Sequence, residues 1–270
     1  WSWNERLVGD GTRNWYGIAS SSDGTKLAAI VSGGNIWTLS DSGANNWSWN
    51  ERLVGDGTQN WNGIVSSSDG TKLAATVTNG NIWTSSDSGA NWNKHAPGGA
   101  DVHSWRGIAL SSDGTKIAAV ERITTLTDPN RGCWYIWTST DFGVTWEVTL
   151  SNCQEPKVID PAKMQYAWIA SSGDALFAFD MYGRQLYTSK DFATWTQNAA
   201  VGPMYADIED NYGPDIKSIA SSSDGTKLAF GAYNGYIWTL YLPPPPPPPP
   251  PLTCCEQALA KYGLTTGREL

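Results

Sequence analysis

Residues 17–47 read GIASSSDGTKLAAIVSGGNIWTLSDSGANNW, and residues 63–92 repeat them as GIVSSSDGTKLAATVTNGNIWTSSDSGANW. The segment returns from Gly107 to Trp146, in weaker form from Trp168 to Trp195, and finally from Ser218 to Leu240. A period of roughly 45–60 residues is the size of a propeller blade and too long for a solenoid turn. Within one copy the spacing predicts four short strands. Strand A is Gly-Ile-Ala-Ser-Ser-Ser, and B is Lys-Leu-Ala-Ala-Ile-Val. Strand C is Asn-Ile-Trp-Thr, and D follows the next Asp-Ser-Gly turn. Asp-Gly pairs at Asp23-Gly24, Asp69-Gly70, Asp113-Gly114 and Asp224-Gly225 predict tight A–B hairpins, and Gly173-Asp174 stands in the fourth copy.

Side chains alternate across a strand, so Ile36 and Trp37 face opposite sides of their sheet. Large apolar residues on both faces suit a blade sandwiched between two neighbours. The fifth copy runs into proline after strand C. Residues 1–12 (WSWNERLVGDGT) are identical to residues 47–58, which hold strand D of the first copy and its exit loop. The expected fold is therefore all-β, a five-bladed β-propeller over residues 1–242, closed by the N-terminal strand. A strand swapped in from a neighbouring chain would have the same sequence.

Tryptophan is abundant: 16 residues against 18 lysines plus arginines. Buried packing and flat sugar-binding platforms both favour it. The recurrent Trp15, Trp61, Trp105 and Trp168, with Trp37, Trp83, Trp137 and Trp238, sit where packing explains them. Trp1, Trp3, Trp47 and Trp49, in strand D, are the candidate glycan platforms. Net charge is -8 and the basic residues are dispersed, so nucleic-acid binding lacks its electrostatic footprint. No apolar run is long enough to span a membrane. The chain opens on Trp1, which fits a processed, secreted chain.

Ser85-x-Asp87-x-Gly89-x-x-Trp92 and Ser139-x-Asp141-x-Gly143-x-Thr145-Trp146 resemble the Asp-box, or bacterial neuraminidase repeat, of sialidase-like and sortilin-like propellers. Leu39 replaces the serine before Asp41, and Ala193 replaces the glycine after Asp191. The resemblance implies that Asp41, Asp87, Asp141 and Asp191 are folding elements. A sialidase would also need an arginine cluster with Tyr, Glu and Asp at the axis. Arg122-Ile123-Thr124 stands where such enzymes carry Arg-Ile-Pro, so no catalytic residue, cofactor or metal is expected.

The long insertions, Asn93–Ser104, Glu121–Arg131, Ser151–Gln165 and Asn198–Asp215, share one rim, where binding usually resides. The last includes Asp207-Ile-Glu-Asp-Asn-Tyr-Gly-Pro-Asp215, an acidic loop without EF-hand spacing. His95 and His103 read as ordinary loop residues. Cys133 and Cys153 fall opposite each other on antiparallel strands C and D, the geometry of a cross-strand disulfide. That bond implies an oxidising compartment.

A proline tract (Pro243, Pro244, Pro245, Pro246, Pro247, Pro248, Pro249, Pro250 and Pro251) must adopt polyproline II, ~28 Å long. Residues 252–270 form a short helical tail, with Thr253-Cys-Cys-Glu256 as its capping box and Gly263 as its stop. One reading of the tract is a stiff linker. The other is its resemblance to hydroxyproline-rich cell-wall glycoproteins, including pherophorins, which implies hydroxylated prolines bearing O-glycans. Cys254 and Cys255 are candidates for an interchain or vicinal disulfide, and Asn46 begins an N-glycosylation sequon. The expected function is a non-enzymatic subunit of an extracellular fibre, cell wall or surface assembly. Its expected partners are copies of itself, head to tail, and glycans. The alternative is a lectin-like module.

Overall fold

A computed structural model of the chain describes residues 8, 11–41, 47–55, 57–99, 103–122, 134–152, 167–173, 175–180, 185–198, 215–233 and 237–241. These hold nineteen strands, and their one helical segment is a 3-10 turn at Pro97–Gly99. The first antiparallel meander is β1 (Trp15–Ser20), β2 (Lys26–Gly34), β3 (Ile36–Asp41) and β4 (Trp47–Arg52). The second is β5 (Gln59–Ser66), β6 (Leu73–Val77), β7 (Ile82–Ser85) and β8 (Asn93–His95), joined to the first in one eight-stranded sheet where Ser32 and Gly34 of β2 pair with Asn60 and Gln59 of β5. The third is β9 (Trp105–Leu110), β10 (Ile117–Arg122), β11 (Trp134–Ser139) and β12 (Glu147–Asn152). The fourth is β13 (Ala167–Ser172), β14 (Ala175–Asp180), β15 (Gln185–Ser189) and β16 (Thr196–Gln197). The fifth has three described strands, β17 (Asp215–Ser221), β18 (Lys227–Tyr233) and β19 (Ile237–Tyr241).

Each meander offers an apolar layer to both neighbours. Ile30 and Ile36 face the second meander, packing with Trp61, Ile64, Leu73, Ala75 and Val77. On the opposite face Val31 and Trp37 pack with Val8 and Trp49. The pattern recurs where Ile82 meets Trp105, Ile108 and Ile117. It recurs again where Ile136 meets Ile169, Leu176 and Phe192. Ile36, Ile82 and Ile136 are wholly buried, each contributing about 2–3 kcal/mol. The two-faced sequence pattern thus has its physical outlet in meander-on-meander stacking.

The A–B hairpins differ from the tight turns expected of Asp-Gly. Ser21 N donates to Lys26 O at 2.9 Å and Gly24 N to Ser21 O at 3.1 Å, leaving a four-residue loop. Only the glycine takes positive φ (Gly24, 73°), because the Asp23 carboxylate binds onward to Thr25 and holds its own backbone in the ordinary region. In the fourth copy Trp168 pairs with Phe179, as Gly17 pairs with Ile30. Trp168 therefore occupies the glycine position of strand A, not that of Trp15, Trp61 and Trp105.

The first strands pack in series, β1 on β5, β5 on β9, β9 on β13 and β13 on β17. No comparable packing joins β17 back to β1 among the described residues. Of the expected closing strand and its exit loop, only Val8, Gly11 and Thr12 belong to the described residues.

Candidate functional site: the joint between meanders

The A–B loops are built around a carboxylate. Asp23 Oδ1 accepts from Ser21 Oγ (2.6 Å), Thr25 N (3.0 Å) and Thr25 Oγ1 (2.9 Å). Asp69, Asp113 and Asp224 repeat the arrangement. The serine hydroxyl and then the threonine donors hold each of these carboxyls down at about 2. These loops are a second set of Ser-x-Asp turns alongside those between strands C and D. The Ser-x-Asp spacing was visible in the sequence, where the Asp-Gly pair drew attention first.

The loops also hold one another. Ser22 N donates to Ser68 O (2.8 Å), Ser68 N to Ser112 O (2.8 Å) and Ser112 N to Gly173 O (3.0 Å). Ser172 Oγ then donates to Ser223 O at 3.0 Å. Lys26 Nζ reaches Asp69 O (2.9 Å) and Lys72 Nζ reaches Asp113 O (3.1 Å). Lys72 also lies over the Phe142 ring and Lys116 over Phe192, at 5.4 and 5.7 Å from the centroids. In the first three meanders the turn lysine therefore grips the next meander.

In the turns between strands C and D, Asp87 Oδ1 accepts from Ser85 Oγ and Asn91 N, both at 2.8 Å. Asp141 accepts from Thr145 N (2.8 Å) and Thr145 Oγ1 (2.6 Å). Asp191 accepts from Ala193 N (2.9 Å) and Thr194 N (2.7 Å). These bonds hold the Asp87 and Asp141 carboxyls down at about 2, led by the Asn91 and Thr145 donors, and Asp191 lower still. Trp92 and Trp146 cap their turns through Nε1 to Gly89 O and Gly143 O, both at 3.0 Å. Without that glycine, Trp195 Nε1 bonds Thr149 Oγ1 of the preceding meander instead. Of Asp41 the backbone alone is described. Carboxylates so fully engaged with donors of their own turn brace that turn and have little capacity left for a reacting proton.

On the opposite rim, Trp61 Nε1 donates to Gly34 O (3.1 Å) and Trp105 Nε1 to Gly80 O (2.8 Å), each crossing to the preceding meander. Beside Trp105 lies a cluster that sequence reasoning missed. His103 is buried, stacked on Trp105 at 4.8 Å, and Glu121 Oε2 accepts from Trp137 Nε1 at 2.7 Å. Eighteen residues separate His103 from Glu121, and no motif announces the pairing. His95 is half-buried, its Nε2 2.7 Å from Thr84 Oγ1; burial lowers its pKa below the usual histidine value. Among the described residues no group of three or more His, Cys, Asp or Glu is placed to hold a metal ion.

Of the strand D tryptophans, Trp49 packs on Val8, Val31 and Trp37 and tilts against Trp15 at 6.3 Å. Trp47 has a described backbone only, and Trp1 and Trp3 lie outside the described residues. So do Asn46, the 207–214 part of the acidic loop, Pro243–Pro251, Cys254 and Cys255. Trp134 pairs with Asn152 at the end of the β11–β12 ladder; Cys133 and Cys153, the next positions, lie outside it.

At the two ends of the series the same positions are open. Ile64, Ile108 and Ile169 are 8, 9 and 7 % exposed, whereas Ile18 is 65 % exposed. Ile237, the counterpart of Ile36, Ile82 and Ile136, is 80 % exposed. Between the first two meanders, beside Lys26, Thr38 and Leu39, a cavity of about 80 Å³ remains after Gly70, Leu73 and Asp87 have filled the rest. The matching groove on the fifth meander, beside Lys227, Thr239 and Leu240, measures about 430 Å³. Lys227 lies over Tyr241 of its own meander, 5.5 Å from the centroid.

Solved structures of this architecture are numerous. A chain of a nidogen–laminin complex is similar over 85 % of this chain and 76 % of its own, with a TM-score of 0.53 and 13 % identity. The β-propeller domain of Cps50 (Swd1) from Myceliophteria thermophila is similar over 82 % and 67 %, with a TM-score of 0.51 and 12 % identity. The fold is a β-propeller. The GH74 xyloglucanase of Xanthomonas campestris is similar over 88 % of this chain and 37 % of its own, with a TM-score of 0.56 and 18 % identity. With 1238 solved chains matching, this propeller likeness carries architecture and no activity. No protein-family model and no curated protein sequence matches the chain.

Proposed function

We propose that this propeller is a non-enzymatic structural subunit of an extracellular fibre, cell wall or surface assembly. It has five blades, the last of which takes its fourth strand from an N-terminal segment, Trp1–Arg6. The observation that carries the reading is the pair of uncovered faces at the two ends of the series. Ile18 at one end is exposed where Ile64, Ile108 and Ile169 are buried, and Ile237 at the other where Ile36, Ile82 and Ile136 are buried. A soluble chain that leaves two such faces open is built to have them covered.

The rest of the subunit is proposed from the same picture. Cys133 and Cys153 form a cross-strand disulfide one step beyond the Trp134–Asn152 pair. The Pro243–Pro251 tract is a polyproline II connector carrying O-glycans on hydroxyproline. The rim carboxylates, bound to their own turns, are structural, and the chain turns over no substrate.

Negative-stain electron microscopy of native, unheated material, with glycopeptide mass spectrometry of the same sample, tests this reading. Regular filaments carrying pentose or hexose masses on hydroxylated Pro243–Pro251 are the expected result. Discrete monomers with unmodified prolines would sink it. The tract would then be a plain linker, and the lectin-like alternative, glycan binding by the long-loop rim, would take its place.

A further inference from the structure

The interior joints of the propeller are alike, and the two ends carry the two halves of one more. At the first three joints the earlier blade supplies a strand C isoleucine, and the later blade covers it with its strand A face. The fifth blade offers Ile237 and an open groove, and the first blade offers Trp15, Ile18 and an uncovered A–B turn. The glycines of that turn record the difference. A Cβ at Gly70 would meet Lys26 Cδ at 2.8 Å and one at Gly114 would meet Lys72 Cδ at 2.7 Å, whereas one at Gly24 meets nothing within 4 Å. Gly24 lacks the preceding lysine that grips its counterparts, and Lys227 lacks a following turn to grip.

Strand D belongs to the same joint. Val54, which follows β4, is buried against the second blade beside Trp61. Val8, its counterpart in the repeated WSWNERLV, is buried against the first blade beside Trp37. By the same repeat Trp1–Arg6 corresponds in sequence to Trp47–Arg52, the strand D of the first blade. In each described four-stranded blade a side chain in strand D, or just after it, meets the strand C threonine hydroxyl. Arg52 Nε donates to Thr38 Oγ1 (2.8 Å), and His95 Nε2 lies 2.7 Å from Thr84 Oγ1. Thr138 pairs with Thr149 (3.3 Å), and Asn198 Nδ2 donates to Thr188 Oγ1 (3.1 Å). Thr239 of the fifth blade is exposed, and Arg6 is the counterpart of Arg52.

We propose that the first blade of a second copy seats on the Ile237 face of this one, its Trp1–Arg6 strand adding to the free edge of β19. The proposal rests on the reading that Trp1–Arg6 is the fourth strand of the last blade, and it adds whose strand that is. Among the described residues β17 does not pack on β1 as the other first strands pack on their neighbours, and Ile18 and Ile237 are both exposed. The contact joins two different surfaces and so propagates from copy to copy.

The β3–β4 register pairs Thr38 with Asn50, which places Asn4 opposite Thr239. The test is the double variant Asn4→Cys with Thr239→Cys, with Cys254 and Cys255 replaced by serine and the cysteines at 133 and 153 left in place. A cross-strand pair at this spacing is within disulfide reach. Non-reducing electrophoresis is expected to show a ladder of multimers that collapses to monomer with reductant. A cross-linked monomer of altered mobility without a ladder overturns the second copy and leaves the fourth-strand reading standing. Absence of any cross-link overturns both. Ile237→Lys, at a position exposed in the single chain, is expected to abolish multimers in sedimentation while leaving the circular dichroism and Tm of the monomer unchanged. Multimers that survive that substitution also overturn the proposal.

Discussion

His103 Nδ1 lies 2.7 Å from Glu121 Oε1, while its Nε2 lies 2.9 Å from Pro97 O. Both ring nitrogens of His103 therefore face acceptors, one on β10 and one at the 3-10 turn.

His103→Phe leaves the buried Glu121 carboxyl with the Trp137 Nε1 bond and without its histidine, and is expected to cost about 3 kcal/mol. Adding Glu121→Leu to it is expected to recover part of that loss. Urea melts of the two single variants and the double variant measure the coupling. Additive losses would show that the two side chains do not interact.

The turn aspartates make the fold acid-labile in a defined window. Asp23, Asp69, Asp87, Asp113, Asp141 and Asp224 sit at about 2, below the ordinary 3.8. Between those values the unfolded chain binds protons that the folded chain does not. Their stabilisation is therefore complete above about pH 4 and is lost as the pH falls towards 2. His95 acts earlier in the same direction, since burial lowers it from 6.5 and stability falls with pH from there. Tm measured from pH 7.5 to 2 should show a shallow step and then a steep one. His95→Gln removes the first and leaves the second.

Two glycines of similar φ should respond differently to a methyl group. Gly89 (φ 85°) would place a Cβ 2.6 Å from Thr38 Cγ2 of the preceding blade, whereas Gly24 (φ 73°) has open space. Gly24→Ala carries the backbone strain alone, about 1 kcal/mol. Gly89→Ala adds overpacking, for a total of about 3 kcal/mol. Thermal denaturation of both variants decides it, and equal losses would mean that the blade interface yields freely.

Trp61→Phe removes the Nε1 bond to Gly34 O from a side chain 2 % exposed, at an expected cost of about 2 kcal/mol. Trp15→Phe, at the equivalent position but 40 % exposed, is expected to cost under ~1 kcal/mol in the monomer. Denaturant midpoints compare the two directly.

The blades were legible because Ile36 and Trp37 alternate across a strand that must be covered on both sides, and because the copies repeat nearly verbatim. The divergent fourth copy misled where a tryptophan, Trp168, took a glycine's place, since residue type alone does not set register. The Asp-Gly pairs pointed to tighter turns than form, because the Ser21 and Thr25 donors to Asp23 stabilise a longer loop. His103 and Glu121 stayed hidden because their meeting is tertiary. The open ends could not be read at all, since Ile18 and Ile237 look in sequence like every other copy and only their missing neighbours distinguish them.

The run of bonds from Ser22 through Ser68 and Ser112 to Gly173 has a sense of travel, with each amide giving to the next loop's carbonyl. A chain of that kind ends in an acceptor on one side and a donor on the other, as a magnet ends in unlike poles. Two first blades brought together would oppose carbonyl to carbonyl, and two fifth blades would bring lysine against lysine. Anything assembled through these ends therefore has a front and a back, and it grows with an arrow fixed at the scale of a single hydrogen bond.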